Sequence, residues 1–229
     1  MRDHPISPVT EPLQYRAIGV VRGIYRPESD DQLTRGVLID SEGNELEAVV
    51  LGRMLTLMRR HLDMTTPHLW VVYPRCRDSD HLHLQIAGIW EPSTLATVEP
   101  ANAEAVDVEA SEASEASEAT GSLDQLSEGD DFFSIRGELI FTKPEANELV
   151  VKVRQLPRAD GFRPLPFKVQ LTGELPLEHL RHFVSLDVRR QGQLLSVEAF
   201  EVIAPMPTRG GKGREGSRNG GAGPRPAKT

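Results

Sequence analysis

Near the middle of this 229-residue chain lies a stretch that no hydrophobic core can absorb. Residues 99–131 hold eleven Asp or Glu and no Lys or Arg, and within them ASEASEASEAT repeats Ser-Glu-Ala three times. Like charges repel one another there, and no apolar stripe exists to dock a helix. Residues 94–131 are therefore predicted to be a disordered acidic linker. Folding is confined to either side of it, in two small domains at 14–93 and 132–206. A polar, Pro-containing arm at 1–13 and a Gly-rich basic tail at 207–229 are both expected to be disordered.

The net charge of −8 is set almost entirely by the linker, because residues 208–229 carry six basic residues against one acidic residue. Such sectoring points to charged partners more directly than the overall balance does. Cys76 is the only cysteine, which excludes an intramolecular disulfide and a multi-cysteine metal cluster and suits a reducing compartment. There is no apolar secretion core at the N-terminus and no apolar run of the ~18 residues that span a bilayer. A soluble cytoplasmic protein without membrane contact is expected.

In the first domain, Tyr15–Tyr25 reads as a strand rich in β-branched and aromatic residues, with Gly19 and Gly23 easing its curvature and Pro27 ending its ladder. Gly36–Ile39 and Leu46–Leu51 follow as strands around a Gly43-Asn44 turn. Met54, Leu55, Met58 and Leu62 then recur at helical spacing, predicting one amphipathic helix over 52–63 that caps its own barrel. Leu69–Tyr73 and His81–Trp90 form a hairpin around Arg77–Asp80.

The second domain repeats this order, with a short helical turn before its fourth strand. Both first strands carry a glycine and end in a basic-Pro-Glu triplet, Arg26-Pro27-Glu28 and Lys143-Pro144-Glu145. Gly19 and Gly137 stand eight and seven residues before their prolines. On this element order and repeat the chain resembles the OB-fold superfamily twice over. The resemblance implies an all-β protein with one helix in the first barrel: two five-stranded OB-like Greek-key barrels joined by the disordered acidic linker.

OB-folds hold oligonucleotides on the outward faces of strands two and three and on adjoining loops. By alternation, Ile135, Leu139, Phe141, Leu149, Val151, Val153, Phe167, Val169 and Leu171 face inward. Arg136, Glu138, Val150, Lys152, Arg154, Lys168 and Gln170 are left outside. Lys143, Arg189 and Arg190 in the flanking loops complete a cationic groove, with Arg158 and Arg163 from the loop after the second strand. In this register the face has charge without stacking aromatics. The tail adds Arg209, Lys212, Arg214 and Arg218 on a glycine backbone, similar to RGG-type segments that contact RNA or single-stranded DNA. The acidic linker is a candidate competitor for the same surfaces. In the first domain Tyr25, Trp70, Tyr73 and Trp90 are available, with at least two expected in the core.

Catalytic signatures are missing: no nucleophile elbow, phosphate loop or dinucleotide fingerprint occurs. His81 and His83 share a strand face but lack the third and fourth ligands of a metal site. Cys76 sits in a predicted Pro-Arg-Cys-Arg turn whose cations would lower its pKa, with no His–Asp partnership beside it. The sequence thus predicts a non-enzymatic protein without cofactor or metal that binds single-stranded nucleic acid, RNA before DNA. The alternative is a protein–protein adaptor within a larger assembly such as a ribosome, polymerase or replication complex.

Overall fold

The computed structural model describes residues 4–207 apart from 30, 77–80, 93–125, 158 and 160. The Arg77–Asp80 turn, most of the acidic linker and the basic tail thus lie outside the described residues. The first barrel comprises β1 (Arg16–Ser29), β2 (Gln32–Ile39), β3 (Glu45–Val50), α1 (Gly52–His61), β4 (His68–Cys76) and β5 (Leu82–Ile89). The second comprises β6 (Phe132–Lys143), β7 (Glu148–Val153), β8 (Phe167–Thr172), β9 (His182–Gln191) and β10 (Leu194–Pro205), with 3-10 turns at Pro144–Ala146 and Leu177–His179.

Each set of five strands closes as the resemblance implies. In the first, β1 is antiparallel to β2 and β4, β2 is antiparallel to β3, and β3 meets β5 in parallel. The second follows the same order, but its parallel closure of β8 on β10 is a single pair, Thr172 with Ser196. Tyr25 and Trp70 are fully buried in the first barrel. Both keep their polar atoms satisfied, Tyr25 Oη donating to Leu33 O at 3.1 Å and Trp70 Nε1 to Gly23 O at 2.8 Å. Helix α1 buries Met54 and Met58 and ends in Arg59, Arg60 and His61, cations that suit the negative end of the helix dipole. The second barrel replaces this helix with the 3-10 turn before β9.

Pro27 does not end the first ladder. Strand β1 continues to Ser29, with Pro27 opposite Gly36 and an irregularity just beyond. A Cβ at Gly36 would lie 2.2 Å from Arg26 O and 2.8 Å from Pro27 Cα, so the glycine makes room for the β1 backbone at this point. The glycines of the two first strands also pair differently from the sequence repeat. A Cβ at Gly23 would meet Ile39 O at 2.4 Å, and one at Gly137 would meet Lys152 O at 2.5 Å. These two positions do the same work, letting the next strand's backbone cross closely. Gly19 serves a different contact: its Cβ would lie 2.2 Å from the ring of Phe133 in the other barrel.

That contact belongs to a seam. Strands β1 and β6 pair antiparallel, Arg16 with Arg136, Ala17 with Ile135, Ile18 with Ser134 and Gly19 with Phe133. The ten strands therefore form one hydrogen-bonded sheet. Polar clamps flank the ladder. Arg22 Nε lies 2.7 Å from Asp130 Oδ2, and Gln193 donates to Glu45 O at 2.8 Å. Arg190 is buried between Asp40 and Asp131, at 2.8 and 2.7 Å. Asp40 also accepts from Asn44 N in its own turn, so one carboxylate anchors both a hairpin and the partner barrel. Burial works to raise the Asp40 pKa, but bonds from Asn44 and Arg190 hold it below the usual range.

Residues 4–13, read from the sequence as part of a disordered arm, run along this seam. Ile6 is buried, and His4 approaches Glu128 at 3.3 Å.

Candidate nucleic-acid interface

The outward residues of β6, β7 and β8 form a grid of three rungs, and a bulge at Ile140 sets its pattern. Leu139 pairs with Val151, but Phe141 pairs with Val150. Beyond the bulge the alternation reverses, because one extra residue turns every later side chain to the opposite face. Thr142 turns inward and donates its hydroxyl to Leu175 O at 2.7 Å. Phe141, expected inside, turns outward with 44% of its surface exposed. The rungs read Glu138–Lys152–Lys168, then Phe141–Val150–Gln170, then Lys143–Glu148–Thr172. Neighbouring rungs are about 7 Å apart along the strands. The outer face therefore carries an aromatic ring beside its charges.

The predicted cations divide into three groups. Lys152 Nζ lies 2.6 Å from Glu138 Oε2, and Arg154 reaches the same carboxylate at 3.8 Å. Lys168 and Lys143 are exposed, and neither forms an ion pair among the described residues. Arg189 bonds Glu198 at 2.9 Å near the β9–β10 turn. Arg136 and Arg190, by contrast, are buried. Arg136 donates to Pro12 O at 2.7 Å and to Ser185 Oγ at 2.8 Å, which pins the N-terminal arm. Arg190 is the inter-barrel clamp. Both are structural because a guanidinium in a protein interior must have its donors met. Arg158 and the tail residues Arg209, Lys212, Arg214 and Arg218 lie outside the described residues, while Arg163 is exposed.

Across from the second and third rungs stand the end of β4 and the start of β5. A slot of about 390 Å³ separates them, lined by Phe141, Asn147 and Gln170 from one barrel and by Cys76 and His81 from the other. Gln170 Oε1 is buried with no hydrogen-bond partner among the described residues. An unmet amide oxygen costs stability and suits a ligand donor. Phe141 as a ligand-facing residue escapes a reading by simple alternation, whereas Gln170 stands outside as alternation predicts. The only signal for Phe141 is the apolar pair Ile140–Phe141, where the period slips.

Cys76 lies in strand β4, not in a turn, and burial pushes its thiol pKa up despite the Gln170 backbone and Arg75. The cationic neighbours therefore do not activate it. His81 and His83 both face Glu47, at 4.0 and 3.7 Å, and no cluster of three metal-ligating residues occurs among the described residues. Of the first-domain aromatics singled out from the sequence, Tyr25 and Trp70 are core, while Tyr73 and Trp90 are half-buried on the outer surface. Phe167 keeps its inward parity but sits at the barrel mouth, with the Arg75 guanidinium 3.8 Å above its ring centre.

Two family models match the chain. Residues 17–97 match the model described as the PatR RNA-binding protein, N-terminal OB-fold domain. Residues 135–204 match the one described as a cyanobacterial OB-fold-like RNA-binding domain, C-terminal. No curated protein matches the chain.

Proposed function

We propose that this tandem OB-fold chain binds single-stranded RNA without catalysing a reaction, on the three-rung face of its second barrel. One observation carries the reading: an exposed phenylalanine and an opposed lysine pair occupy adjacent rungs of the same sheet face. Stacking on the ring is tolerant of base identity, and the lysines supply the salt-dependent phosphate contacts. Lys143, Lys152, Arg154, Lys168 and Arg189 form the cationic set, and the basic tail extends it. The preference for RNA over DNA draws on the description of both matching families.

Fluorescence anisotropy with labelled 12-nucleotide RNA and DNA tests the reading. Binding is expected to weaken steeply with salt. It should collapse in the Lys152→Glu, Arg154→Glu, Lys168→Glu variant, and Phe141→Ala should cost about 1–3 kcal/mol. Salt-insensitive binding, or a triple variant equal to wild type, rejects it. A second reading, a protein adaptor, is favoured by the loop between β7 and β8, where Leu156 and Leu165 are 86% and 85% exposed. Nuclease-resistant capture of a protein partner that is lost in Leu156→Ser, Leu165→Ser distinguishes it.

A further inference from the structure

A large cleft lies not on the three-rung face but in the seam beside it. It measures about 600 Å³ and is lined by both barrels and the N-terminal arm, with Tyr15, Arg16, Tyr73, Arg75, Arg154 and Phe167 as its distinctive residues. Glu11 is the acidic residue among its lining, against three arginines. We infer that this cleft is a second nucleotide subsite, where a base of the bound RNA strand stacks on Tyr73 and its phosphate meets Arg16, Arg75 and Arg154. The inference rests on the RNA-binding reading of the second barrel.

Continuity supports it first. Arg154 shares Glu138 with Lys152, so the cleft opens directly above the charged rung. Phe167 immediately precedes Lys168 on β8 and forms part of the cleft wall. A strand lying on the face thus reaches the cleft without leaving cationic surface. On the far side, Tyr73 also lines a neighbouring hollow of about 530 Å³ with Ile18, Ile89 and Trp90. Aromatic surface continues onto the first barrel from there.

The preorganisation of the arginines is the second support. The Arg75 guanidinium lies over the Phe167 ring, 3.8 Å from its centre, and donates from Nη1 to Pro74 O at 2.9 Å; together these contacts hold it in place. Arg154 lies 5.4 Å from the ring centre of Tyr15, and that ring is itself held edge-on to Phe183 at 5.0 Å. Arg16 donates to Ser7 O of the arm. Burial lowers the pKa of both Arg16 and Arg75, and repulsion from Arg136 adds to the effect at Arg16. A phosphate there relieves the repulsion.

The full-length protein is titrated by anisotropy against fluorescein-labelled oligouridylates of 5 and 15 nucleotides. One OB-fold occupies roughly 4–16 nucleotides, so the shorter oligomer fits the second barrel alone. Tyr73→Ala is expected to weaken the 15-mer roughly tenfold and leave the 5-mer unchanged, with Tyr73→Phe close to wild type. Because Arg75 also braces Phe167, Tyr73 carries the test. Photocrosslinking of 4-thiouridine RNA should also yield a Tyr73-containing peptide. If Tyr73→Ala binds the 15-mer as wild type while Lys152→Ala, Lys168→Ala loses both oligomers, the subsite is wrong and the RNA reading stands. If that lysine variant also binds both as wild type, the reading fails and takes the subsite with it. Crosslinks confined to the second barrel likewise overturn the inference.

Discussion

Lys152 and Lys168 stand directly opposite each other on β7 and β8, both on the outer face. Like charges in that relation destabilise a sheet. Glu138 neutralises one of them, while Lys168 forms no ion pair among the described residues. Lys168→Glu should therefore stabilise the free protein by about 0.2–1 kcal/mol, seen as a higher melting temperature. The same change should weaken RNA binding and reduce the log–log salt slope by about 0.7 for the lost phosphate contact. A variant that melts higher and binds equally well would separate the lysine pair from function.

Gly19 lets Phe133 fill the seam, so Gly19→Ala sets a methyl carbon about where the ring now lies. Overpacking of this kind typically costs about 1–3 kcal/mol. Denaturant unfolding should show the loss, and Phe133→Leu in the same chain should recover part of it.

Arg190→Ala strands Asp40 and Asp131 between the barrels, and removing one member of a buried pair costs about 3–5 kcal/mol. Asp131 is already raised in pKa by burial, which Arg190 only partly offsets. Adding Asp131→Asn should return part of the stability, and an unchanged double-variant midpoint would place the cost elsewhere.

Tyr25 gives a signature at alkaline pH. Burial pushes its phenol up to about 12, above the ordinary 10.0. An acid held protonated by the fold contributes stability that is complete below pH 10 and is lost as pH rises toward 12. The slope is at most about 1.4 kcal/mol per pH unit. Tyr25→Phe should lose about 1 kcal/mol near neutrality with the bond to Leu33 O, yet show a shallower alkaline decline.

Element order was legible because each strand and the one helix impose a period on their own residues. The spacing of Met54 and Met58 announced α1, and alternation announced β7 and β8. What escaped depends on partners distant in sequence. The bulge at Ile140 is one inserted residue, invisible to a period of two until pairing with Val150 shows it. Arg136 looks like any strand cation and Arg190 like a loop cation, though it lies in β9, since the carbonyls and carboxylates that bury them lie far off along the chain. Gly19 looked like a curvature glycine because Phe133 is more than a hundred residues away.

The β1–β6 ladder changes what the covalent connection between the barrels has to do. Their mutual geometry is written in backbone hydrogen bonds and the Arg190 clamp, so a covalent connection has only to keep the barrels at high local concentration. Tethers are forgiving: doubling the length of a flexible one costs only about 0.6 kcal/mol. The number of Ser-Glu-Ala units is then free to drift between descendants of this gene, while Gly19, Phe133 and Arg190 are not.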